Sequence, residues 1–539
     1  MSEFDDHTLQ HEARLLRELL DRFLGAEPAE PEGEQLVARL EAHLGARPTT
    51  MPVVTATWAP HEQADVQLAL ERWLADRGTP AEVIGTPHPA RRHQSLAELV
   101  SMGRHDGGFI VGPPDWVHVP ISPDDTHPCV AYGFYLVAGA AGGDGTRVEA
   151  PSAVLVRGPD PQMGMDAVQL EILSPDPDAA GELVARLREL AIELSPVRGQ
   201  IVTFSPPDRP GGSPIAFLRR PRLPRERLVL PEATLAAVER QVIEVAGLRD
   251  RLRASGQHLK RGLLLYGPPG TGKTHTVRYL LGRLEGTTAV VLSGGALGLV
   301  AAACTLAKRH QPSVVVLEDV DLVAADREFV APGANPLLFE ILNQLDGLVD
   351  DVDVVFVLTT NRVEVLERAL AERPGRVDEA VEVGVPDAAG RERLLRLYGA
   401  DAGFDALDLA GAVAATDGVT ATYLRELVRR AVVRAAQARS GDARVSVLQE
   451  DLESAAGDLR SSRSALTRAL LGVGDDVPLE PAGPPSMPSP VQHPGGRAEY
   501  GWFAYGPGGM HRRRIRPPRP GGQAPPAPPA PPAGWEEEP

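Results

Sequence analysis

The stretch RGLLLYGPPGTGKTHT, Arg261 to Thr276, places glycines, a lysine and a threonine at a spacing suited to holding phosphate. Gly267, Gly270 and Gly272 remove the side chains that would keep an anion from the backbone, and Pro268, Pro269 and Thr271 complete the turn. A helix opening near Lys273 would aim unpaired N–H groups and the positive end of its dipole at that anion. Lys273 would reach the β- and γ-phosphates of a nucleotide, and the Thr274 hydroxyl would ligate magnesium, which is the full G-x-x-x-x-G-K-[ST] pattern; His275 follows as part of the same binding set.

A phosphate cradle does not hydrolyse anything unless the chain also holds the metal and orients a water. VVVLEDVD supplies acids at the end of an apolar strand: Glu318 would contact magnesium through water, Asp319 would polarise the attacking water, and Asp321, further along, is assigned a structural role. Asn361 ends the next apolar run, in LTTNR, where its amide could hold the same water or contact the γ-phosphate.

These residues need strands and helices to place them. Leu263 to Leu265 reads as a buried parallel strand leading into the cradle, and Lys273 to Leu284 as the helix leaving it. Thr288 to Leu292, Val314 to Leu317 and Val354 to Thr359 supply further strands alternating with helices, as a parallel α/β sheet requires. From Ala389 the strand signal gives way to apolar residues at helical spacing, as in Leu424, Leu427, Val428 and Val432.

Ahead of this part, helical patterns at Leu9 to Leu24 and Glu34 to Leu44 precede strands at Val53 to Trp58, Val130 to Ala138, Ala153 to Arg157 and Ala167 to Ile172. Helices at Gln63 to Arg77 and Asp178 to Leu194, with a closing strand at Gln200 to Phe204, complete an expected α+β domain with no catalytic pattern. The expected organisation is therefore an amino-terminal domain over 1–205, a linker over 206–228 containing PPDRPGGSP, an α/β domain over 229–388, a helical domain over 389–472 and a Pro/Gly-rich tail over 473–539. That tail lacks the apolar surface to offset its ordering entropy and is expected to be disordered, with Arg512, Arg513, Arg514 and Arg516 read as a solvated charge run in preference to a basic patch for an acidic partner.

At 539 residues and a net charge of −18, the chain suits several domains and protein partners, not broad contact with DNA or RNA. Cys129 and Cys304 have no metal-ligand spacing and are read as core residues. His88, His93, His105, His118 and His127 are scattered without metal-binding spacing. Acids near the start, a lack of long apolar spans and two isolated cysteines set the expectation of a cytoplasmic protein.

In their order, GPPGTGKT, VVVLEDVD, LTTNR and ERPGR resemble the AAA family of ring ATPases, over about Val229 to Leu470. The resemblance implies an AAA+ parallel sheet with a helical lid, ATP and Mg2+ as ligands, and a homo-oligomer in which a hexameric ring binds ATP between subunits. It also implies that Arg373 and Arg376 of ERPGR reach into the neighbouring subunit's site and stabilise transition-state charge. DGVTATYL, Asp417 to Leu424, resembles the family's lid segment and implies that Ala421 and Thr422 lie near the ribose or phosphates.

Two departures stand out. Most members carry Asp-Glu where this chain has Glu318-Asp319, an order similar to that in mitochondrial inner-membrane assembly ATPases. SGGALGLVAAACTLAKR lacks the aromatic pore residue of threading members and leaves Leu297 or Leu299 as apolar candidates. The expectation is an ATP hydrolase that remodels or disassembles a protein client held by the amino-terminal domain. Its alternative is an ATP-gated oligomeric scaffold with slow turnover. A nucleic-acid motor is disfavoured by the acidic balance.

Overall fold

The computed structural model describes residues 34–78, 81–87, 94–102, 109–139, 150–160, 164–204, 214–321, 341, 343–344, 352–363, 377–439 and 445–461. The expected helix at Leu9 to Leu24, His88, His93, His105 and the tail lie outside these residues.

The amino-terminal part runs α1 (Leu36–Leu44), β1 (Val53–Trp58), α2 (Gln63–Arg77), β2 (Ala81–Ile84), α3 (Leu96–Met102), β3 (Asp115–Pro120), β4 (Thr126–Val137), β5 (Ser152–Arg157), β6 (Val168–Leu173) and α4 (Pro177–Glu193). Its sheet has the order β1-β6-β5-β4-β2, with β3 also on β4, and every pairing is antiparallel. Successive side chains of β5 serve two cores: Ala153 and Leu155 pack with α1 and α3, whereas Val154 and Val156 pack with α2 and α4. Helices on both faces explain why β5 reads as an unbroken apolar run although its neighbours are antiparallel.

The second sheet takes β7 (Ile201–Phe204), β8 (Ile215–Leu218), β9 (Arg261–Tyr266), β10 (Thr288–Ser293), β11 (Ser313–Glu318), β12 (Val354–Thr360) and β13 (Glu379–Glu382), in the order β13-β9-β12-β11-β10-β7-β8. All but the edge strand β8 run parallel. One face packs on α5 (Glu232–Glu239) and α6 (Lys273–Arg283), the other on α7 (Val300–Arg309), so both faces are dry. Three helices, α8 (Ala388–Gly399), α9 (Ala421–Ala438) and α10 (Gln449–Ser461), share a separate core around Phe404, Leu424, Leu427 and Leu452. The expected α/β sheet, helical lid and preceding α+β domain are all present.

One expectation is overturned. The strand at 201–204 does not close the amino-terminal sheet; it pairs with β10 through Ala289↔Ile201 and Val290↔Val202, and β8, from within the expected linker, pairs with it. Ile201 fills the core on the α6 side and Val202 the core on the α7 side, which a four-residue alternation could do at the edge of either sheet. Arg220 fastens this addition. Its guanidinium donates to the carbonyls of Leu281 and Leu284 at the end of α6 and to those of Gly199 and Thr287, at 2.6–3.0 Å.

Cys129 and Cys304 are buried free thiols, as expected of core residues. His127 faces Glu71 at 3.1 Å, and His118 lies 3.4 Å from the Thr126 hydroxyl. Leu297 is buried in the sheet core while Leu299 is 45% exposed, so of the two pore-loop candidates only Leu299 has an accessible side chain.

Candidate active site

Strand β9 ends at Tyr266, and the chain then turns through Gly267 (φ +142°), Gly270 (φ +80°) and Gly272 (φ +116°) into α6. The turn needs glycine in two ways. Positive φ is costly for other residues, and a Cβ on Gly267 would stand 2.3 Å from the Val383 carbonyl oxygen. Gly272 caps α6 without a side-chain hydrogen bond, which leaves the first-turn N–H groups open to an anion. Lys273 folds over the loop, its Nζ donating to the carbonyls of Gly267 (2.7 Å) and Pro268 (2.9 Å). Burial pulls its ammonium below the usual range, against the opposing influence of Asp319 and Asp321. The Thr271 hydroxyl donates to the Pro268 carbonyl at 3.0 Å and stiffens the same turn.

Strands β11 and β12 lie in parallel register, Leu317 opposite Leu358, so their carboxyl ends deliver the acids and the asparagine side by side. Asp319 adopts φ +52°, a left-handed backbone that strains a non-glycine residue, and its N–H donates to Thr359 Oγ1 at 2.9 Å. Asn361 Nδ2 donates to Asp319 Oδ1 at 3.3 Å, which makes the two expected catalytic residues a contacting pair. Asp321 is buried, and its Oδ1 accepts from the Thr360 hydroxyl and the Asn361 N–H, both at 3.0 Å. It holds the end of β12 in place, in keeping with its structural assignment.

Glu318 fits a metal-binding role. Burial pushes its carboxyl above the usual range, a hydrogen bond from the Thr274 side chain works against this, and its Oε1 is buried with no hydrogen-bond partner. An orphaned carboxylate oxygen beside a hydroxyl is a donor set suited to a hydrated divalent cation, and hard oxygen ligands are those magnesium takes.

The lid touches the cradle directly. Thr420 caps α9, and the backbone N–H and hydroxyl of Thr422 both lie 3.2 Å from the Gly270 carbonyl. Ala421 and Thr422 thus line the same cavity as Pro269, Lys273, Asp319 and Asn361, a space of about 760 Å3. His275 lies on its wall with its pKa lowered, chiefly by burial. Apolar walls come from Leu228, Leu394 and Tyr398, suited to the flat face of a base.

Sequence reasoning missed Arg278 and Arg425, which also line this cavity. Helical phase could have found both. Arg278 lies four residues after Thr274 on α6, and Arg425 four after Ala421 on α9, so each shares a face with a residue that the sequence reading expects at the nucleotide. Arg373 and Arg376 lie outside the described residues.

Residues 263–385 match the family described as ATPase family associated with various cellular activities (AAA). The chain is 31% identical over 273 residues to the ATP-dependent zinc metalloprotease FtsH 2 of Symbiobacterium thermophilum, covering 48% of this chain and 45% of that protein. It is 30% identical over 282 residues to FtsH of Thermus thermophilus (48% and 44%), and 35% identical over 231 residues to FtsH 4 of Sphaerobacter thermophilus (39% and 35%). The chain spans less than half the length of these relatives. No helix among the described residues is long and apolar enough to cross a membrane.

Proposed function

From the premise that residues 263–385 are an AAA ATPase domain, we propose that the chain hydrolyses ATP and uses the cycle to remodel or disassemble a protein client held by the amino-terminal domain. The observation carrying the hydrolysis is the Asp319–Asn361 pair, which lines one cavity with Lys273 and the lid residue Thr422. The open amides of the cradle and the Lys273 ammonium hold the phosphates, Lys273 exchanging its bonds to Gly267 and Pro268 for phosphate oxygens. Magnesium held by Thr274 and Glu318 would neutralise charge on the phosphate oxygens. Asp319 takes the proton side of the attacking water, and Asn361 fixes the direction of that carboxylate. Closure of α9 onto Gly270 excludes bulk water from the reacting groups.

In this reading Arg373, supported by Arg376, completes the neighbouring subunit's site, which makes the active form a homo-oligomer, with a hexameric ring the proposed assembly. A second reading, an ATP-gated scaffold of slow turnover, is favoured by the short acid at the water-activating position and its engagement by Asn361.

Magnesium-dependent ATPase activity of the purified chain, abolished by Lys273→Ala, tests hydrolysis; tight binding without turnover selects the scaffold. Mixing Lys273→Ala with Arg373→Ala chains tests the shared site. Partial recovery is expected, because some interfaces then pair an intact cradle with an intact arginine, and no recovery at any ratio counts against action between subunits.

A further inference from the structure

Among the described residues, three contacts join the amino-terminal domain to the ATPase part: the His61 ring stands edge-on to Phe204 with centroids 5.9 Å apart, Glu62 pairs with Arg309, and Asp124 pairs with Arg219. The Asp124–Arg219 pair is exposed, whereas Glu62 is 5% exposed and fixed from two sides: one oxygen meets Arg309, and the other accepts from the Ala59 N–H at 2.7 Å. The neighbouring His61 and His310 rings have their pKa values pushed down to about 4, in each case chiefly by burial, so at neutral pH neither ring competes as a cation with Arg309 for Glu62.

Arg309 is the last residue of α7, and the end of that helix, together with Gln311 just beyond it, is hydrogen-bonded to the beginnings of the two strands that carry the hydrolytic pair. Ser313 Oγ, at the start of β11, donates to the Ala307 carbonyl at 2.8 Å. Just before β12, the Asp353 N–H donates to Gln311 Oε1 at 2.7 Å, and the Asp353 carboxylate is paired in turn with Arg249. At the far ends of these strands stand Asp319 and Asn361. A strand locked into a parallel ladder on both sides moves as a rod, so a displacement of the α7 terminus reaches its other end.

We propose that Glu62, a residue of the amino-terminal domain, is a positioning residue for hydrolysis: by holding Arg309 it fixes the end of α7 and thereby the alignment of Asp319 with Asn361. The inference rests on the hydrolysis reading and deepens it, since it gives a client bound to the amino-terminal domain a physical route to the reacting groups. Neither Glu62 nor Arg309 lines the nucleotide cavity, so their effect falls on turnover and not on nucleotide affinity.

The test uses the full chain with Glu62→Gln, Arg309→Met and the charge-keeping Arg309→Lys. It measures kcat, KM for Mg-ATP, and hydrogen–deuterium exchange over residues 59–70 with and without a nonhydrolysable ATP analogue. Glu62→Gln and Arg309→Met are expected to lower kcat roughly 3- to 10-fold with KM within about twofold, and Arg309→Lys to restore at least half of the loss. The nucleotide-dependent change in exchange at 59–70 is expected in the native chain and is lost in Arg309→Met. Wild-type kcat in both charge-removing variants, or an exchange response that survives Arg309→Met, overturns the proposal. A kcat deficit that Arg309→Lys does not relieve, or one matched by an equal loss of affinity, overturns it as well. Should the native chain bind nucleotide without turnover, the hydrolysis reading fails on its own and the exchange experiment alone decides whether the link exists.

Discussion

The contact between lid and cradle makes a specific demand on Gly270. Replacing it with alanine imposes two separable costs. At φ +80° an L side chain is strained by about 1–2 kcal/mol, and the new Cβ would lie 2.6 Å from Thr422 Oγ1 and 3.0 Å from Thr422 Cβ, an overlap worth about 1–3 kcal/mol. In the free chain the loop can relax and the lid can lift. Nucleotide must then restore the native turn, so the costs appear as lost affinity: about 5- to 30-fold from the backbone, and a further factor of about 5 to 150 from the contact. Thr422→Gly removes the colliding side chain while keeping the Thr422 N–H that also bonds the Gly270 carbonyl. Titration of a fluorescent ADP into Gly270→Ala, Thr422→Gly and the double variant closes a thermodynamic cycle, for which a coupling of about 1–3 kcal/mol is expected. In the Thr422→Gly background, Gly270→Ala should retain the backbone share and the lesser contact with Thr420 Oγ1, 3.3 Å from the new Cβ. If Gly270→Ala costs the same affinity in both backgrounds, the lid does not press on the cradle in the bound state, and the reasoning from this contact fails.

Asp319→Asn keeps the cradle and Glu318, so nucleotide affinity should stay within about threefold while hydrolysis falls by about 10²-fold or more; parallel loss of both would show that Asp319 serves binding instead. Asp65 is 1% exposed, its Oδ2 has no hydrogen-bond partner, and burial pushes its pKa from the ordinary 3.8 up to about 7. Because the folded state keeps this proton to higher pH than the unfolded state, its contribution is complete below about pH 4 and is lost as pH rises through about 7, a change on the order of 4 kcal/mol. Asp65→Asn, which cannot ionise, should flatten that slope and stabilise the amino-terminal domain at pH 8. Urea unfolding read by tryptophan fluorescence checks this in a chain whose tail residues Trp502 and Trp535 are replaced by phenylalanine, since Trp58, Trp73 and Trp116 then all lie in that domain and the ATPase and lid segments contain no tryptophan. An unchanged slope would mean that Asp65 is ionised in the folded chain.

The phosphate cradle, the acids at the end of β11 and the helical character of the lid were legible in the sequence because each depends on neighbours along the chain. Glycines at 267, 270 and 272 serve the turn they occupy, and Glu318 and Asp319 follow the apolar run that buries their strand. Likewise, the phase of α9 follows from its own leucines and valines. Only the tertiary structure decided which strands become neighbours. The apolar, β-branched stretch at 201–204 announces a strand but says nothing of its partner, and so this segment, expected in the amino-terminal sheet, extends the ATPase sheet instead. The meeting of Asp319 with Asn361, the clamp of Asp321 on Thr360 and the Glu62–Arg309 pair join residues separated by 39 to 247 positions. Such contacts depend on strand order and helix docking, which are set by how the cores fill collectively, and no local spacing encodes them.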